Sequence, residues 1–382
     1  MEFERLLKVA IEQGASDVFI TADRPPALKI SGRIVNAGKV ALSGEQAGAV
    51  VQSIMDAEQQ AQFQRAHECN FAIESPALGR FRVSAFYQRG QPGMVLRRIE
   101  TTIPRVADLG LPPIIEPLAL AKRGLIIVVG ATGTGKSTSL AAMIGHRNAH
   151  TNGHIITIED PIEFLHEHRG CIVTQREVGI DTDSFEVALK NTLRQAPDVI
   201  MIGEVRTRET MEHALAFAET GHLCLCTLHA NNANQALDRI IQFFPSERHN
   251  QVWMDLSLNL KAVVAQQLVP TASAEGRCAA IEVLINSPLV GDHIRKGEVH
   301  LLKALMAKST ELGMQTFDQH LYQLYAAGQI TAETALAHAD SANDLRLMIK
   351  LGPNTAPKPA ALDAGLLLAD ENVRHPFQPR RA

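Results

Sequence analysis

The sequence predicts an α/β fold, with a small α+β domain followed by a larger unit built on a parallel sheet flanked by helices. Three observations carry that reading. Short alternating segments fill residues 1–100, as strands facing water on one side do. From residue 118 onward, apolar runs alternate with helical stretches. The first of those runs, Leu125-Ile126-Ile127-Val128-Val129, leads directly into Gly130-Ala131-Thr132-Gly133-Thr134-Gly135-Lys136-Ser137-Thr138.

The elements follow in order. Phe3, Leu6, Leu7 and Ala10 fall at helical spacing. Residues 17–20 and 27–30 read as short strands on either side of the Pro25-Pro26 bend, 44–65 as one helical stretch, and 71–74, 79–86 and 94–99 as further strands. Together, residues 1–100 form the first domain. Pro104, Pro112, Pro113 and Pro117 exclude a long helix or a central strand from residues 101–117, which read as a linker and hinge. In the second domain, 118–352, strands are expected at 125–129, 154–158, 198–202 and 223–228. Helices are expected at 136–150, 184–195, 207–219 and 232–242, with more in 250–268 and 315–350. Residues 353–382 carry Pro353, Pro357, Pro359, Pro376 and Pro379 without periodicity and read as a mobile tail.

The chain has 382 residues, enough for two domains and a tail, and its 46% apolar and 20% charged content is that of a globular protein. A net charge of −4 and 4% aromatic residues argue against a nucleic-acid partner. No apolar run approaches the ~20 residues that span a membrane. The start, Met1-Glu2-Phe3-Glu4-Arg5, has neither the basic region nor the apolar core of a signal peptide. A cytoplasmic location is expected, with membrane contact only through partners. The five cysteines, Cys69, Cys171, Cys224, Cys226 and Cys278, are scattered as in a reducing compartment, and no Cys-x-x-Cys pair suggests structural zinc. Cys224 and Cys226 share one face of an expected strand and read as small buried hydrophobes.

The glycine turn after residue 129 has the form of a phosphate loop. Its backbone N–H groups converge on phosphate oxygens, and the helix that follows adds its positive end. Gly130, Thr132, Gly133, Thr134, Gly135, Lys136, Ser137 and Thr138 are therefore assigned to nucleotide binding. Lys136 would reach the β- and γ-phosphates, and the Ser137 hydroxyl would ligate Mg²⁺, which makes ATP and Mg²⁺ the expected ligands. Glu159-Asp160-Pro161-Ile162-Glu163 ends a strand expected next to the phosphate loop. Glu163 or Glu159 would position the attacking water, against the plainer reading of a solvated acidic loop. Glu204 ends another apolar strand and suits a role near the metal or the water. His222 and His229 bracket the strand at 223–228, and His229 falls where a γ-phosphate sensor belongs. Arg80, Arg82, Arg97 and Arg98 lie on expected strands. They either keep an edge soluble or act as fingers on a neighbouring subunit's phosphates.

Four elements in this order resemble the secretion-type hexameric ATPases. They are the phosphate loop; Ile158-Glu159-Asp160-Pro161-Ile162-Glu163-Phe164; Leu193-Arg194-Gln195 through Pro197-Asp198 to Gly203-Glu204; and Gly221-His222 to Thr227-Leu228-His229-Ala230. In that superfamily the last three are the Asp box, the Walker B segment and the His box. Gly313-Met314-Gln315-Thr316-Phe317-Asp318-Gln319 and the short N-terminal domain resemble the type IV pilus retraction ATPases, the PilT/PilU group. The resemblance implies a PAS-like first domain, a RecA-like second domain, and a homohexameric ring that hydrolyses ATP at the cytoplasmic face of the inner membrane to support retraction and twitching motility. It implies Glu163 as catalytic glutamate, Glu204 as Walker B glutamate, His222 and His229 as the His-box pair, and Arg82 and Arg97 as arginines offered by the first domain. The sequence departs from typical retraction motors at Ala196, where they have Asp, at Val205-Arg206-Thr207, where they have Met-Arg-Asp, and at Leu289-Val290-Gly291-Asp292-His293-Ile294-Arg295. These departures point toward the PilU paralogues. They imply an accessory role beside a PilT-like ATPase, with an inner-membrane pilus platform protein as a further partner. Two alternatives stay open: an ATP-binding scaffold with little turnover, and a nucleic-acid translocase on the same core.

Overall fold

Two sheets organise the chain, seen in a computed structural model that describes residues 3–352 apart from 31, 76, 100, 274 and 275. The expected tail, 353–382, lies outside the described residues. The first sheet contains β1 (Asp17–Ile20), β2 (Ala27–Ile30), β3 (Arg33–Asn36), β4 (Glu68–Ser75), β5 (Gly79–Gln88) and β6 (Gln91–Arg98). Its order is β3-β2-β1-β6-β5-β4, and every neighbouring pair is antiparallel. Helices Phe3–Glu12, Gly44–Ser53 and Ala57–Ala66 supply residues to its core, which includes Leu6, Leu7, Val51 and Phe63.

The second sheet contains β7 (Gly124–Val129), β8 (Gly153–Glu159), β9 (Cys171–Glu177), β10 (Val199–Ile202), β11 (Leu223–Leu228), β12 (Leu260–Pro270) and β13 (Arg277–Ile285). Its order is β13-β12-β7-β11-β10-β8-β9, parallel throughout except for the antiparallel edge strand β13. Every residue of β7 is buried. Leu125, Ile127 and Val129 face one helical layer, and Ile126 and Val128 face the other. A strand covered on both faces must be apolar without alternation, which is why this one reads as a continuous run. The architecture is the expected α/β one, a RecA-like nucleotide domain preceded by a small domain.

The structure differs from expectation in several places. The stretch 44–65 is two helices, because Asp56 caps a new start: its side chain accepts from the N–H of Gln59 while the Gln59 side chain accepts from the N–H of Asp56. Residues 250–268 are helix His249–Asn259 and then most of β12. The run Ala262-Val263-Val264-Ala265 is apolar on both faces of a strand, and periodicity cannot separate that from a buried helix. Strands β3, β9 and β13 and helices Pro288–Lys296 and Leu302–Lys308 were not anticipated. β11 and β10 stand between the phosphate-loop strand β7 and β8, so the Glu159–Glu163 turn is not on the strand next to the loop. Val106, Leu111 and Ile115 are buried against the second sheet's core, and Pro117 lies in the first turn of helix Ile115–Ala119, where no N–H is required.

Cys224 and Cys226 are fully buried in the core, and burial pushes the Cys226 thiol up to about 12 and Cys224 well above its ordinary value. Among the described residues, no helix is long and apolar enough to cross a membrane.

Ala196 follows the short 3₁₀ turn Leu193–Gln195 in the left-handed region, with φ 50°. A Cβ is disfavoured there, and asparagine is the non-glycine residue that tolerates it best. Ala196→Asn is expected to raise stability by about 1 kcal/mol. Thermal denaturation checks this, and an unchanged or lowered midpoint rejects it.

Candidate functional site

The phosphate loop is shaped from outside as well as from within. Gly130 (φ 156°) and Gly135 (φ 88°) bracket it. A Cβ on Gly130 would collide with the Gln266 carbonyl oxygen and with Thr134 Oγ1, and one on Gly135 would stand 2.8 Å from Gln266 Nε2. Gln266 comes from the adjacent strand β12, is 4% exposed, and accepts a 2.7 Å hydrogen bond from Ser139 Oγ through Oε1. The two glycines thus let a neighbouring strand press against both ends of the loop. Thr134 Oγ1 donates to the Ala131 carbonyl at 2.9 Å and braces the turn. Helix Lys136–His150 begins directly after Gly135, so its first amides lack partners in the helix and are available to an anion. Lys136 Nζ donates to the carbonyls of Gly130 (2.9 Å) and Ala131 (3.0 Å). Burial lowers the pKa of Lys136, and the Glu204 charge opposes that shift.

The loop forms one wall of a cleft of about 700 Å³. Thr132, Gly133, Gly135, Lys136, Ser137 and Thr138 line one side, and Glu159, Glu163, Glu204 and His229 come from the tips of β8, β10 and β11. The tips are stitched together. Gly203 donates its N–H to the Ile158 carbonyl at 2.8 Å and accepts from Thr227 Oγ1 at 2.6 Å. A Cβ on Gly203 would lie 3.1 Å from Glu159 Cα, so the close approach depends on the missing side chain. Glu204 is held between two side chains: Arg206 Nη2 lies 2.7 Å from Oε2, and His229 Nε2 lies 2.9 Å from Oε1.

The two carboxylates of the β8 turn have different surroundings. Glu159 is 7% exposed, and burial pushes its carboxyl up to about 7. Hydrogen bonds from Thr157 Oγ1 (2.6 Å), from Gln175 Nε2 (3.2 Å) and from the Glu163 backbone oppose that rise. Glu163 is exposed along the cleft. The buried group therefore keeps a proton near neutrality, and the exposed one is accessible to water.

Of the residues assigned from sequence, His222 and Arg82 do not line this chain's own cleft, and Arg97 does. His222 precedes β11 and His229 follows it, so the pair lies at opposite ends of one strand and His222 is away from the cleft. Its ring contacts Thr220 Oγ1 (3.1 Å) and the Phe217 carbonyl (3.3 Å) instead. Arg82 does not line the cleft either. With Arg80 it opposes the burial-driven rise of the Glu177 pKa at the end of β9. Arg97, directly across from Arg82 on β6, does reach the cleft of its own chain, together with Arg98, and is tied to Asp17 by a 2.8 Å ion pair. Sequence reasoning also missed Gln266, Gln175, Arg206 as the partner of Glu204, and Arg277 in the cleft wall. The available signal for Gln266 was the amide pair Gln266-Gln267 interrupting an apolar run.

Ser137 and Glu204 present oxygen ligands to one cleft, the donor chemistry that Mg²⁺ accepts. Mg²⁺ is usually held by one or two protein groups together with substrate phosphates, and this set fits that pattern.

Glu159 also makes stability depend on pH. Between its ordinary value of 4.5 and about 7, the folded chain binds more of this proton than the unfolded chain. Stability therefore falls as pH rises through that window. Glu159→Gln removes the loss, so the variant should gain up to about 3 kcal/mol over the parent between pH 4.5 and 7. Denaturant midpoints of both proteins across that range check this, and parallel profiles reject it. The buried Glu282, also raised to about 7, is common to both and cancels.

Residues 2–329 match the family described as Type II/IV secretion system protein. The type IV pilus ATPase PilU of Pseudomonas aeruginosa is 69% identical over 369 residues, which cover 96% of this chain and 97% of the relative. The type IV pilus retraction ATPase PilT of the same organism is 39% identical over 335 residues, 88% of this chain and 97% of the relative. A crystal structure of the pilus retraction motor PilT with bound ADP aligns with a TM-score of 0.86 at 40% identity, covering 91% of this chain and 100% of that one. With its phosphate loop and strand-tip carboxylates assembled in the same fold, the chain belongs to the Type II/IV secretion system protein family, among its type IV pilus ATPases.

Proposed function

We propose that this chain hydrolyses ATP with Mg²⁺ as a subunit of a homohexameric ring and thereby supports type IV pilus retraction and twitching motility. One observation carries the reading. Lys136, Ser137, Glu163, Glu204 and His229, from four strand tips of one sheet, face a single cleft. In this reading the loop amides and Lys136 hold the β- and γ-phosphates, while Ser137 and Glu204 would hold Mg²⁺, whose contribution would be to neutralise charge on the phosphates. Glu163 orients the attacking water and takes its proton. His229, bonded to Glu204, reports whether the terminal phosphate is present. Arg97 completes the cleft wall, and in a ring Arg82 and Arg97 would also be offered to the neighbouring subunit. Closure and opening of the two domains would convert turnover into work on the pilus base.

The 69% identity to the type IV pilus ATPase PilU supports a place in pilus machinery, and the departures at Ala196 and Val205-Arg206-Thr207 are our ground for an accessory role beside a PilT-like ATPase and a pilus platform protein at the cytoplasmic face of the inner membrane. A second reading has its own observation. Arg206 engages one oxygen of Glu204, which would slow turnover and suit an ATP-binding scaffold. Phosphate release by the purified protein, with and without a PilT-like partner, separates the two. In cells, deletion of this protein alone should leave surface pili without twitching, and loss of pili would point to extension instead.

Lys136→Ala should abolish ATP binding, measured by calorimetry. Glu163→Gln should bind ATP normally but hydrolyse it at least ~100-fold more slowly. Parent-like turnover in the Gln variant would remove Glu163 from the chemistry.

A further inference from the structure

We infer that Gln175 is a positioning residue for Glu163: one side-chain amide on edge strand β9 pins the backbone that aims this carboxylate. This builds on the proposed role of Glu163 in orienting the attacking water. Residues 160–170 join β8 to its parallel neighbour β9 and contain no helix. A parallel connection is usually made through a helix, which satisfies its own backbone. Here the N–H and C=O groups of the loop need partners from elsewhere, because buried unpaired groups are costly. β9 supplies several from one face, since Gln175 and Glu177 are two residues apart on the strand and project to the same side.

Gln175 spends its whole amide on this loop. Nε2 donates to the Phe164 carbonyl at 2.9 Å and to Glu159 Oε1 at 3.2 Å, and Oε1 accepts the N–H of His166 at 2.8 Å. Glu177 Oε2 accepts the N–H of Ile162 at 3.3 Å. Ile162 and Phe164, the two neighbours of Glu163, are therefore each fastened to β9, while Glu163 itself stays exposed along the cleft. Farther on, Asn148 of helix Lys136–His150 donates to the Glu167 carbonyl (2.7 Å) and accepts from the N–H groups of Arg169 (3.2 Å) and Cys171 (3.1 Å). The two halves of the loop thus have separate anchors, and Gln175 belongs to the half that carries Glu163. Gln175 does not line the cleft, so it acts on the chemistry through other residues. A carboxylate on an untethered loop would sample many directions, and misplacing a reacting group by about 1 Å can cost about 100-fold in rate.

The test is a double-mutant cycle in the full-length protein, with Gln175→Met and Glu163→Gln. Methionine keeps the length of the side chain and removes both donors and the acceptor. ATP affinity by calorimetry, KM and kcat are measured for each variant. Gln175→Met should keep ATP affinity and KM within about twofold and lower kcat roughly tenfold. Added to Glu163→Gln, it should slow the residual turnover by less than about twofold, because the group it aims is already gone. Parent-like kcat in Gln175→Met, a loss of ATP affinity as large as the loss of kcat, or a further loss of roughly tenfold in the double variant overturns the inference. The last outcome would mark a general structural role or an action through Glu159. Gln175→Glu keeps the acceptor for His166 and loses both donors. It takes the place of Gln175→Met if that variant does not fold, and should show the same pattern. Parent-like turnover in Glu163→Gln alone would defeat the proposed chemistry and this inference with it. Slow turnover there beside parent-like kcat in Gln175→Met would defeat this inference alone.

Discussion

The contact between β12 and the two ends of the phosphate loop is the constraint on which the site depends. Gln266 presses its carbonyl toward Gly130 and its side-chain amide toward Gly135, and it anchors Ser139 one turn into the following helix. A side chain on either glycine would separate loop and strand. The loop would then lose the support that fixes where its amides point and where Lys136 begins. Anion binding by backbone dipoles requires that those dipoles be oriented before the ligand arrives. The second sheet therefore contributes through its packing before any charged group is considered.

On the far side of the cleft, three strand tips are drawn together by uncharged contacts at Gly203 and Thr227. The acidic groups are then differentiated by burial. Glu159 is enclosed by Thr157, Gln175 and the backbone, while Glu163, four residues on, stays exposed. Two carboxylates with opposed environments can divide structural and chemical work, and that division is what a water-activating site needs. Glu204 sits among Lys136, His229 and Arg206, so the charge at this point is shared between the phosphate loop and the strand that leads toward the C-terminal helices.

The first sheet is not remote from this chemistry. Arg97 and Arg98 stand in the wall of their own chain's cleft, and Arg80 and Arg82 face the end of β9. At the opposite edge of the second sheet, β13 is covered by Gln315 and His320 and does not expose its backbone donors at Ile281 and Val283. An edge strand sealed in this way resists pairing with other chains and ties the last helices to the nucleotide sheet.

The sequence by itself determined the elements whose signals are local. β7 is apolar on both faces, the glycine spacing admits one kind of turn, and a carboxylate or histidine at the end of a buried run marks a strand tip facing ligand. Glu163, Glu204 and His229 were legible for that reason. What the sequence could not fix was which tips stand side by side, because strand order depends on crossovers that leave no periodic trace. Only the tertiary structure put β11 and β10 between β7 and β8 and set Arg82 by the end of β9, outside its own chain's cleft. It alone decided that 260–270 is a strand, since an apolar stretch buried on both sides has the same pattern in either conformation until its neighbours are known. Gln266 became functional only through that placement, because its role comes from two glycines more than a hundred residues away in the chain.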